Sequence, residues 1–98
     1  MDLAAFKDSL QGHGPPAGLG AALDALWHAA KGDWDKAHRL AQAQKDAAGA
    51  WVHAYLHRVE GDLSNAGHWY RRSGKTPSGA PLQQEWDEIA GALLGGRR

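Results

Sequence analysis

Two Gly-Asp pairs, Gly32-Asp33 and Gly61-Asp62, stand 29 residues apart in a chain that is otherwise written for helix. Glycine leaves a helix at little cost because it adopts positive φ. An aspartate directly after it can accept hydrogen bonds from the free N–H groups of the next helix. Each pair therefore marks a tight turn between two helices. The segments around them align without a gap: Leu26 to Ala41 against Tyr55 to Tyr70. His28 matches His57 and Ala37 matches Ala66, while Trp34 and Leu40 correspond to Leu63 and Trp69. A small alanine one turn into the second helix lets the two helices of each pair approach closely. The repeat thus encodes the same helical hairpin twice.

The rest of the chain agrees. Among β-branched residues there are only Val52, Val59, Thr76 and Ile89, and alanine and leucine are plentiful, a balance that favours helix over strand. An N-terminal helix is expected over residues 2–11, with Leu3, Phe6 and Leu10 at helical spacing. The Gly12–Gly18 stretch, with Pro15 and Pro16, breaks it. Helices follow over about 19–31, 34–45, 47–60 and 63–73, then a loop over 74–79. A last helix opens at Pro81 and reaches Leu94, with residues 95–98 expected to fray. The fold class is all-α, with antiparallel helical hairpins in a single domain. Its parts are an N-terminal helix (1–11), a first repeat (19–46), a second repeat (47–77) and a C-terminal capping helix (81–95).

Helical periodicity places Leu40, Ala37, Ala41 and Trp34 on the inner face of the third helix, and Trp69, Ala66, Tyr70 and Leu63 on that of the fifth. Trp86, with Leu82, Ile89, Ala90 and Leu93, is expected to cap the second repeat. The acidic Glu85, Asp87 and Glu88 are expected to complement the dipole at the start of that last helix.

The pattern Gly-Asp-x3-Ala-x2-aromatic-aromatic, clearest in Gly61 to Gly74, resembles the turn and second helix of tetratricopeptide repeats and their sel-type relatives. The run Trp51 to Asp62 is also similar to one found in short bacterial proteins. The resemblance spans about residues 19–77. It implies a protein or peptide interaction module without catalytic activity, with Trp51, Tyr55 and Arg58 on the concave groove and His53 and His57 at helix-packing positions. Arg72 joins the first three as an expected contact. The implied partner is a protein or peptide, a second copy of the chain included.

Chemistry-bearing patterns are few. The absence of cysteine excludes disulfides, thiolate metal sites and a cysteine nucleophile. His53-x3-His57-x2-Glu60 stacks two imidazoles and a carboxylate on one helix face, a donor set suited to zinc or a similar divalent ion. No glutamate follows His53, so the His-Glu-x2-His pattern of zinc proteases is missing. Gly74-Lys75-Thr76 lacks the upstream glycine and strand of a phosphate loop. The Gly12-His13-Gly14 stretch lacks the strand of a dinucleotide site. Arg58, Arg71 and Arg72, with Lys75 and nearby aromatics, could clamp an anionic small molecule or stack on a base. Eleven basic side chains balance eleven acidic ones, so bulk charge does not indicate a nucleic-acid or membrane binder. No resident cofactor is expected. The N-terminus carries no signal-like segment and no apolar run is long enough to span a bilayer, which makes the cytoplasm the expected compartment.

Overall fold

The structure is a computed structural model, and it describes residues 1–95. Six α-helices make it up: α1 (Leu3–Asp8, continued by a 3₁₀ turn at Ser9–Gln11), α2 (Ala21–Ala30), α3 (Trp34–Ala43), α4 (Ala47–Val59), α5 (Leu63–Ser73) and α6 (Leu82–Gly95). No strand occurs among the described residues. The fold is all-α, with α2 and α3 forming one helical hairpin and α4 and α5 a second. The expected fraying of residues 96–98 lies outside the described residues.

The two Gly-Asp turns are built alike. Gly32 and Gly61 have φ of 83° and 80°. The Asp33 N–H donates to the His28 carbonyl and the Asp62 N–H to the His57 carbonyl, each at 2.9 Å. The Gly32 and Gly61 N–H groups donate to Ala29 and Arg58, each at 3.0 Å. This is the paired hydrogen-bond pattern that closes a helix through a left-handed residue. Asp33 and Asp62 then accept from the N–H groups of Lys36 and Asn65 and cap α3 and α5.

The turn between the hairpins ends α3 two residues earlier than periodicity suggests. Gln44 is extended, which frees its side chain to accept the Ala22 N–H at 2.7 Å at the start of α2 and to donate to Asp46. Asp46 in turn caps α4 through the Gly49 N–H at 3.0 Å. The chain turns so tightly here that a Cβ on Gly49 would stand 1.8 Å from the Gln44 carbonyl oxygen. Backbone cannot yield as a flexible side chain can. Gly49→Ala is therefore expected to cost about 3 kcal/mol, the upper end for overpacking, measured by urea denaturation. A loss below about 0.5 kcal/mol would show that the turn relaxes freely.

The main core joins Phe6, Leu23, Leu26, Trp27, Val52, Leu56, Trp86 and Ile89. A smaller cluster of Ala54, Ala66 and Tyr70 lies between α4 and α5. Two inner-face assignments are corrected. Trp34 and Leu63 are 36% and 69% exposed, because each is the first residue of its helix and its side chain leans back over the turn instead of onto the partner helix. The last helix packs on α4 of the second repeat and reaches beyond it. α6 crosses back over α4, α2 and α1, Trp86 stacks on Phe6 at 5.6 Å, and its indole N–H donates to the Leu26 carbonyl at 2.9 Å.

Glu85 is the further departure. It is 1% exposed and serves as the acceptor of a buried polar network, not as a solvated dipole partner. Arg58 Nη1 donates to it at 2.9 Å, the Tyr70 hydroxyl donates to its other oxygen, and Arg58 Nη2 donates to the Ala80 carbonyl. Burial, then the Glu85 bond, pushes the Tyr70 phenol up, and burial followed by the Glu85 charge pushes Tyr55 up to about 12. Both phenols stay neutral at ordinary pH.

Candidate metal centre

His53 and His57 stand one turn apart on α4, as their spacing requires, and their rings stack at 4.8 Å. The structure adds a third imidazole. His38, from α3, lies edge-on to His53 at 5.5 Å and tilted against His57 at 5.3 Å. One ligand nitrogen from each of the three lies within 4.8 Å of the others. Glu60, at the end of α4, closes the exposed side. One of its oxygens is 2.8 Å from His38 Nε2 and 3.6 Å from His57 Nδ1.

His53 is the innermost member. It is 3% exposed and stacks face to face on Trp69 of α5 at 4.0 Å. Its Nδ1 is buried with no hydrogen-bond partner among the described residues. Such an orphan is costly and rare in folded proteins. Burial first, and then the neighbouring His57, His38 and His68, push its pKa down to about 4. His57 is lowered as well, by burial and His38, with Glu60 and Asp62 pulling the other way. At neutral pH His53 therefore presents a neutral imidazole with a free lone pair, the protonation state that metal ligation requires.

The depressed His53 pKa sets a sign for metal-free protein. Between pH 6.5 and 4 the unfolded chain binds a proton at this site that the folded chain refuses, so stability falls as pH falls. A shift of this size corresponds to about 3 kcal/mol, present above pH 6.5 and lost on approach to pH 4. Urea denaturation across that window checks it, with His53→Gln flattening the slope.

His38 was not visible in the sequence as a ligand. Its one signal is its position beside Ala37 and one turn before Ala41, at the edge of the inner face of α3. Only the packing of α3 against α4 brings it to the pair. His28, the repeat counterpart of His57, stays outside the centre and lies edge-on to Trp27.

The residues expected on a concave groove are dispersed. Tyr55 is buried, and Arg58 is engaged by Glu85 and the Ala80 carbonyl. Trp51 is half-buried with the Lys75 ammonium 4.5 Å from its ring centre. Arg72 stays exposed, its guanidinium 5.2 Å from the Trp69 ring centre. α6 packs on the face of α4 that carries Tyr55 and Arg58. The basic cluster is divided in the same way, since Arg58 turns inward while Arg71 and Arg72 stay at the surface.

Among the described residues no helix is long and apolar enough to cross a membrane. The chain matches no protein-family model, no curated protein and no solved structure.

Proposed function

We propose that this protein binds a divalent transition-metal ion through His38, His53 and His57, with Glu60 as a fourth ligand or as the carboxylate that orients His38. The observation that carries this reading is the convergence of three imidazoles from two helices, each offering a nitrogen within 4.8 Å of the others, at a site where His53 is buried and its Nδ1 has no hydrogen-bond partner among the described residues. Nitrogen and carboxylate donors of this kind suit Zn²⁺, Cu²⁺ or Ni²⁺ better than Ca²⁺ or Mg²⁺. Metal–nitrogen bonds of about 2.0–2.1 Å put ligand atoms about 3.4 Å apart around a tetrahedral ion. The ligand nitrogens, within 4.8 Å of one another, must close by about 1.4 Å to reach that spacing.

An interaction module built on Trp51, Tyr55 and Arg58 has less support, because that face is covered by α6 and Arg58 has its partners within the chain. The test is calorimetric titration of tag-free, metal-stripped protein with zinc, together with elemental analysis of the protein as purified. One ion per chain, with binding lost in His38→Ala, is the expected result. Equal heats in the parent and His38→Ala, or metal far below one ion per chain in both measurements, would remove the proposal.

A further inference from the structure

A groove of about 460 Å³ lies where the end of α3, the 44–46 turn and the start of α4 meet α5. That volume lies within the range of small-molecule sites. Its apolar lining comes from Ala41, Ala50 and Trp69, and its polar groups include Gln42, Lys45 and Arg72. It is separate from the imidazole centre, though Trp69 touches both.

The charges of the groove are unevenly matched. Among the described residues no carboxylate lies within ion-pair distance of Arg72 or Lys45. The one acidic residue of the lining, Asp46, is already occupied, accepting from the Gly49 N–H and from Gln44 Nε2. Arg72 is also held in place. It sits one turn after Trp69 on α5 with its guanidinium near the indole ring, so part of the entropy of fixing a long side chain is already spent. Two cations outside any ion pair against the single carboxylate of Asp46 leave the groove net positive beside an apolar floor, which suits a ligand with an anionic head and an apolar body.

We infer that this groove binds a small organic molecule carrying a phosphate or carboxylate group, with Arg72 as the principal contact and Lys45 as the second. The body of the ligand lies over Ala41 and Ala50. The inference stands apart from the metal centre and survives its failure.

The experiment is a titration of ¹⁵N-labelled, metal-stripped and desalted protein, so that no bound ion can take up the anion. The probes are phenyl phosphate, benzoate and uncharged benzyl alcohol. Saturable shifts of the Trp69 indole N–H and of the amides of residues 45–50 are expected with at least one anionic probe. The tighter of the two identifies the head group. Arg72→Gln is expected to weaken binding by about tenfold or more, and Arg71→Gln, at an exposed position outside the groove, to leave it unchanged. Three results would overturn the inference: no saturation by either anion up to on the order of 10 mM, equal binding of benzyl alcohol, or an equal loss in Arg71→Gln.

Discussion

Replacing Glu85 with alanine should cost the fold about 3–5 kcal/mol, the usual loss when one partner of a buried ion pair is removed. The carboxylate is 1% exposed and accepts from both Arg58 and Tyr70. Without it the Arg58 guanidinium is left half-buried with no counter-charge, and the Tyr70 hydroxyl loses its acceptor. For a chain of this size the drop in Tm is expected to be roughly 15–30 °C. Glu85→Gln keeps an acceptor for Tyr70 and removes only the charge, so it should lose less. Arg58→Met combined with Glu85→Leu should recover much of the loss, because an apolar pair of similar volume avoids desolvating two charges. Thermal unfolding of the four proteins decides the matter. A Glu85→Ala loss under about 1 kcal/mol would mean that α6 is held by Trp86 and Ile89 alone.

The second large effect is expected from the imidazole centre. A ligand that binds only the folded state adds about 2.7 kcal/mol of stability at a free concentration 100 times its Kd. His38 belongs to the first hairpin, and His53, His57 and Glu60 belong to the second. A bound ion therefore ties the hairpins together, and zinc should raise Tm in the parent protein. His38→Ala cuts that tie while leaving the α4 residues in place. Its affinity loss should exceed the 10–100-fold typical of losing an outer-shell partner, so the zinc-dependent rise in Tm should disappear. Protons compete with metal for imidazole, and the rise should also shrink as pH falls. His38→Ala lies at a half-buried position, which leaves its fold intact as a control. A zinc-induced rise of the same size in His38→Ala would show that the ion binds elsewhere.

The hairpins were legible in the sequence because their instructions are local. Gly32-Asp33 and Gly61-Asp62 specify turns through backbone freedom and a capping side chain, and neither depends on what lies across the fold. The His53-x3-His57-x2-Glu60 face was legible for the same reason, since helical spacing alone places those side chains together.

What sequence could not supply were the contacts between helices far apart in the chain. Periodicity ranks a face as inner or outer but does not say which helix covers it. The packing of α6 back over α2 and α4 decided that Arg58 meets Glu85. The packing of α3 on α4 decided that His38 joins the histidine pair. The exposure of Trp34 and Leu63 follows from their place at the first turn of a helix, where the side chain points past its partner. The sequence by itself determined the helices and turns, because short-range hydrogen bonding and backbone preference act within a few residues. Tertiary structure alone decided which charges are buried and which imidazoles converge, because those depend on non-local packing.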